Sequence, residues 1–296
     1  MKSGNVQRSL SEVAAMPRPV TIGHTPDMDD AFMFYAMASR KIPLDGWHIE
    51  HVITDIQSLN QQALKAALDV TAISAAMYPS IEKDYWILSV GSSVGQNYGP
   101  VVVAARAYDV ADLAGVRIAV PGLQTTACLL LSLAVKGFVP VVMSFENIPQ
   151  AIAAGEVECG LVIHERQLTY RDEGLLPIID LGVWWHQRVG LPIPLGLNAV
   201  KRSLGKPAAE QLATLLKRSI VYAMTHQEEA MAASMKFGRG IDATRARQFV
   251  GLYVNEETLS LSAASCDALK LLYQRGLEAG LIPSAPPLAF IHPAAG

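Results

Sequence analysis

Residues 159–170 read CGLVIHERQLTY. Cys159 to Ile163 are small or apolar, as in a strand buried on both faces. The run then stops at His164 and Glu165, and a polar segment follows. In open α/β sheets, ligands lie outside the carboxyl ends of the strands. An imidazole placed just there marks where the rest of the chain has to be searched.

Working outward, short β-rich runs alternate with helical stretches. Strands are predicted at 19–23, 47–54, 69–74, 85–93, 99–106, 115–120, 141–145, 159–163, 175–182 and 191–200. Helices are predicted at 29–39, 56–68, within 121–137 and at 146–156, and from about 206 the chain turns mostly helical, over 206–226, 228–237, 242–254 and 260–280. Alternation of this kind argues for parallel or mixed sheets covered by helices. The fold class is therefore α/β: two α/β domains around a central cleft. The strands at 99–106 and 193–200 are the natural crossovers. They predict a larger discontinuous domain, 19–105 plus 195–296, a smaller domain, 106–194, and an N-terminal tail, 1–18.

Of the 296 residues, 51% are hydrophobic and 17% charged, with a net charge of −3. A large core is expected, disorder is not, and no basic face suggests nucleic acid as a partner. No window approaches the ~20 apolar residues of a membrane span. The N-terminus lacks an apolar stretch of signal-peptide length, which predicts a cytoplasmic protein. Cys128, Cys159 and Cys266 lie in apolar surroundings without metal-ligand spacing and read as reduced core residues, so no metal is expected.

Four strand ends carry candidate chemistry. After 19–23 come His24, Thr25, Asp27, Asp29 and Asp30, a turn and helix start without the Gly and distal Glu of a calcium loop. After 69–74 comes Ser74, a helix cap or a ligand contact. After 115–120 comes PGLQTTA, whose Thr125, Thr126 and Ala127 open a helix and suit either capping or an anion; the phosphate-loop spacing is absent. After 159–163 comes His164, the side chain most easily tuned for proton transfer near neutral pH. HERQLTY is not HExxH, so zinc-protease chemistry is excluded. Gly91, Gly95 and Gly99 do not form a dinucleotide fingerprint. Trp184 and Trp185 read either as core or as an aromatic wall for a flat ligand.

PGLQTTACLLLSLAVKGFVPV, GEVECGLVIHERQLTY, DLGVWWHQRVGLPIPLG and YVN at 253–255 resemble the signatures of the 1,4-dihydroxy-6-naphthoate synthase family of the futalosine route to menaquinone. The resemblance runs from about residue 20 to about 285. It implies a bilobed, periplasmic-binding-protein-like (type II) fold used as a lyase. The implied substrate is cyclic dehypoxanthine futalosine, a small anionic aromatic precursor, cleaved to dihydroxynaphthoate and a dihydroxyacetone-type three-carbon fragment without a cofactor. It places the catalytic base on His164 and ligand contacts on Ala72, Ile73, Ser74, Thr126 and Ala127. Glu165 is expected either to orient His164 or to turn outward. Where many members carry a Pro-Asn-Asp-Thr type stretch, this chain has TPDMDDAFMF. Asp27 and Asp29 are thus expected at the cleft mouth, where they disfavour an anion. A non-catalytic solute receptor of the same fold, or a sister (de)hydratase acting on a chorismate-derived acid, are the competing readings.

Overall fold

The computed structural model describes residues 19–294, so the expected tail, 1–18, lies outside the described residues. Two mixed sheets form the frame. The first contains β1 (Val20–His24), β2 (Ile49–Ile53), β3 (Val70–Ser74), β4 (Tyr85–Leu88), β5 (Ser93–Gly95), β11 (Ile193–Lys201) and β12 (Phe290–Ile291). Its order is β12-β4-β11-β3-β1-β2, with β5 paired to β11. The second contains β6 (Val101–Ala104), β7 (Arg117–Val120), β8 (Val139–Val142), β9 (Cys159–Val162) and β10 (Leu176–Asp180), in the order β10-β6-β9-β7-β8.

Position in the sheet explains the sequence of each strand. β3 lies between β11 and β1, and all five of its residues, VTAIS, are buried. β9 lies between β6 and β7, and CGLV is buried throughout. Both are covered on two faces and carry only apolar and small residues, without charge. β2 is an edge strand, never fully buried, and exposes Glu50 and Ile53.

β1 runs parallel to β2 and β3, and β7 runs parallel to β8 and β9. These parallel strands bring the carboxyl ends of β1, β3, β7 and β9 toward the space between the sheets. β11 runs antiparallel to β3, β4 and β5 and returns the chain to the first sheet. β6, in the region expected to be a crossover, pairs with β9 and β10 inside the second sheet.

Three local departures from the sequence reading have physical causes. The 85–93 run splits into β4 and β5, because Gly91 adopts a left-handed φ of +79° and turns the chain. The stretch expected as strand to residue 182 instead starts a helix, Leu181–Val189, capped by Asp180 Oδ1 accepting from Gly182 N (2.8 Å) and Val183 N (3.0 Å). The short β12 completes the first sheet beside β4 from a segment with almost no β signal.

Two cores fill the body. One spans both sheets, with Tyr78, Tyr85 and Trp185 fully buried. The other packs the helix Met28–Ala38 against the helices Lys206–Thr225, Gln227–Ser234 and Ala243–Tyr253.

Candidate active site

The four strand ends singled out from sequence converge on one cavity. β1 leads into Thr25, Asp29 and Asp30; β3 ends in Ala72, Ile73 and Ser74; β7 leads into Thr125, Thr126 and Ala127; β9 leads into Ile163 and His164. The space is about 710 Å³, part of it open to solvent. Every residue expected to contact the substrate lines it, and so does His164. Among the described lining residues, none is Lys or Arg.

His164 is held in an unusual way. Its φ is +53°, left-handed for a residue with a Cβ, and such conformations persist only where the surroundings enforce them. Here Gln167 does so. In the amide orientation that satisfies both its ends, its carbonyl accepts from His164 N (3.2 Å) and its NH₂ donates to Gly99 O (2.7 Å). The edge of the imidazole meets Phe145, with ring centroids 5.0 Å apart at 62°. His164 Nε2 is shut off from solvent and lies 3.2 Å from Asp27 Oδ2, in a direction outside hydrogen-bond geometry. The contact becomes an ion pair only when the imidazole is protonated.

Asp27 stands at the N-cap position of the helix Met28–Ala38, yet its side chain makes no cap bond. It turns to His164 and to Arg239, whose Nη1 donates to Oδ1 at 2.8 Å. The first-turn amide is taken by Glu165: Met28 N donates to its Oε1 at 3.1 Å. Glu165 thus neither orients His164 nor turns outward; it is buried against the start of this helix, with Arg239 Nη1 3.3 Å from Oε2. Arg239 also donates to Glu146 and lies 4.8 Å over the Phe145 ring. A single guanidinium ties one residue before the second sheet to two within its span.

The hydroxyls expected to hold an anion are partly committed. Thr125 Oγ1 caps its helix by accepting from Cys128 N (3.1 Å). Thr126 Oγ1 accepts from Ala76 N (3.1 Å) and donates to Leu195 O (2.7 Å), bridging to the first sheet. What remains for a ligand there are the first-turn amides of Thr126 and Ala127, which have no intrahelical acceptors. Ser74 makes no helix cap. It is clamped by Asn60, which accepts from Ser74 N and donates to Ser74 Oγ, both at 3.0 Å. The Ser74 hydroxyl proton is left free to donate. Asn60 was not singled out from the sequence, where it is one polar residue in the helix Ile56–Leu64.

The acids are not a charged rim at the mouth. Asp27 lies behind the imidazole, while Asp29 and Asp30 line the cavity and are each only 7% exposed. Burial pushes the Asp29 carboxyl up to about 7; Asp30 adds to the rise, His164 opposes it, and Asp27 and Glu165 add further. Burial raises Asp30 to about 6, against hydrogen bonds from Thr25 N (2.7 Å) and Oγ1 (2.9 Å). Glu165 is pushed up to about 7 by burial and then by Asp27, with Met28 N and Arg239 opposing. Burial therefore makes Asp29 and Asp30 harder to ionise than free carboxyls.

His24 faces away from the cavity, stacked on Phe34 with centroids 4.6 Å apart, and burial lowers its ring to about 4. Trp185 is core, donating from Nε1 to Pro192 O (3.1 Å), and neither tryptophan lines the cavity. The aromatic wall comes from Phe249 and Tyr253, with the same Gln167 NH₂ donating to Tyr253 OH (2.8 Å). Cys128 and Cys159 are buried, and burial raises both thiols to about 11; Cys266 is only partly buried. Among the described residues, no group of three or more His, Cys, Asp or Glu forms a metal site, and no helix is long and apolar enough to cross a membrane.

Residues 20–278 match the family described as menaquinone biosynthesis. The chain is 36% identical over 272 residues to a 1,4-dihydroxy-6-naphthoate synthase of Thermus thermophilus, covering 91% of this chain and 98% of that protein. The crystal structure of a protein from Archaeoglobus fulgidus is 48% identical, covers 89% of this chain and 98% of that one, and superposes with a TM-score of 0.86. The alkanesulfonate-binding protein of Xanthomonas axonopodis superposes with a TM-score of 0.71 at 16% identity, covering 94% of this chain and all of that one. That last likeness shows the bilobed, periplasmic-binding-protein-like fold alone.

Proposed function

The chain belongs to the menaquinone-biosynthesis family of 1,4-dihydroxy-6-naphthoate synthases and is an enzyme of it, and we propose that it cleaves cyclic dehypoxanthine futalosine. The products are 1,4-dihydroxy-6-naphthoate and a dihydroxyacetone-type three-carbon fragment. The observation that carries the proposal is the single cavity shared by His164, Ser74 and the first turn of the helix Thr126–Ala134.

His164 acts as the general base. Its Nε2 faces Asp27, which leaves Nδ1 for the substrate. With Nε2 shut off from solvent, the tautomer protonated there places the lone pair on Nδ1. When Nδ1 takes a proton from a carbon next to a carbonyl, the imidazolium forms 3.2 Å from Asp27 Oδ2 and is stabilised there. The amides of Thr126 and Ala127 and the hydroxyl of Ser74 hold anionic oxygens and set the acidic carbon against the ring. Carbon–carbon cleavage follows, driven by aromatisation of the new ring. A base contributes ~10²–10⁴-fold, so positioning in the cavity supplies much of the remainder. Three unpaired cysteines favour the cytoplasm as the site of action.

The test is direct. Purified protein mixed with the cyclic substrate releases a dihydroxynaphthoate detectable by absorbance and mass. Tight binding of that substrate with no product would favour a receptor and defeat the proposal.

A further inference from the structure

Asp29 is bound at one oxygen and bare at the other. Ser93 Oγ donates to Oδ2 at 3.0 Å. Oδ1 is buried and has no hydrogen-bond partner, although Asp29 lines the cavity. An ionised carboxylate oxygen left in that state carries the full desolvation penalty. The protonated acid is different, because Oδ1–H is a donor whose missing acceptor is whatever fills the cavity. A ligand in this space meets no lysine or arginine among the described lining residues.

We infer that Asp29 is a ligand-binding residue kept as a neutral carboxylic acid, and that Oδ1–H donates a hydrogen bond to an anionic oxygen of the bound aromatic precursor. The inference rests on the function proposed above and adds a specificity-determining contact to it. The arrangement is a buried acid used as an oxyanion donor, in the same cavity as the helix start at Thr126 and Ala127. It also removes the conflict between an acidic cavity and an anionic substrate. Burial, which pushes this carboxyl up to about 7, works in the same direction. His164, Asp27, Asp30 and Glu165 all act on it electrostatically, and Tyr253 faces it from the helix Ala243–Tyr253.

Because the acid form is the competent one, apparent affinity falls as that form is lost. The experiment titrates 2-naphthoate, an aromatic carboxylate, against the full chain between about pH 6 and pH 8.5. The expected dissociation constant of the unaltered protein weakens about tenfold per pH unit above about 7. Asp29→Asn keeps a donor that does not titrate, so its dissociation constant changes less than about twofold over the same range. Asp29→Leu has no donor and binds more weakly than Asp29→Asn throughout. A slope in Asp29→Asn equal to that of the unaltered protein would assign the proton to His164, Asp30 or Glu165 and overturn the inference. A pH-independent unaltered protein, or no binding of the probe at any pH, would overturn it too. If the slope disappears in Asp29→Asn while the unaltered protein makes no dihydroxynaphthoate, the functional reading fails and the contact stands.

Discussion

Asp27 Oδ2 lies 3.2 Å from His164 Nε2, across 137 residues of sequence and between the two lobes. The carboxylate approaches from the first lobe, the imidazole from the end of β9 in the second. Asp27 occupies a helix N-cap position and makes no cap bond there. A capping residue has been redirected to a ring nitrogen. Its second oxygen receives Arg239 at 2.8 Å, which fixes the carboxylate in place.

Asp27→Asn removes the charge beside the imidazolium and keeps the shape. Turnover of the cyclic substrate is expected to fall ~10²-fold, the low end of a general-base contribution, with little change in Kd. Steady-state kinetics beside equilibrium binding separate the two. Loss of binding with unchanged turnover per bound substrate would assign Asp27 to the cavity wall rather than to the base.

Thr126→Val is expected to lower Tm. The methyl group leaves Ala76 N–H without its acceptor and Leu195 O without its donor. An unsatisfied buried donor costs about 1–3 kcal/mol, or several degrees of Tm for a chain of this size. Thr126→Ser retains both bonds and most of the stability. Equal Tm values for the two variants by calorimetry would show that this bridge between the lobes contributes nothing.

Glu165 makes a pH-dependent contribution with a definite sign. Its folded value, about 7, lies above its ordinary 4.5. Between those values the folded chain holds a proton that the unfolded chain has released, so stability from this group declines as pH rises from about 4.5 to about 7, then levels off. Glu165→Gln removes that titration and keeps an acceptor for Met28 N. The Tm advantage of the unaltered protein over Glu165→Gln is therefore expected to shrink between pH 5 and pH 8. A constant difference across that range would mean that Glu165 is already ionised at pH 5.

Local sequence pattern carried the strands and the long helices well, because burial on two faces demands runs of apolar and small residues such as VTAIS and CGLV. It also located the cavity, since parallel strands in an α/β sheet point their carboxyl ends at one place. What pattern does not carry is pairing over long distance. Nothing near Asp27 announces a histidine 137 residues on, and nothing near Arg239 announces Glu146 and Glu165. Asn60 is hidden for the same reason: its clamp on Ser74 is a tertiary contact. The helix Leu181–Val189 escaped because its apolar start, LGVW, continues the composition of β10; the cap from Asp180 is the signal that marks the change.

The most direct test is His164→Ala. The variant keeps the cavity, the amides of Thr126 and Ala127, and the Asn60–Ser74 clamp, so it binds the cyclic substrate. Its turnover is expected to fall at least ~10²-fold, as loss of a general base requires. Turnover equal to that of the unaltered protein, with matching pH dependence, would remove the imidazole from the reaction and contradict the account at its centre.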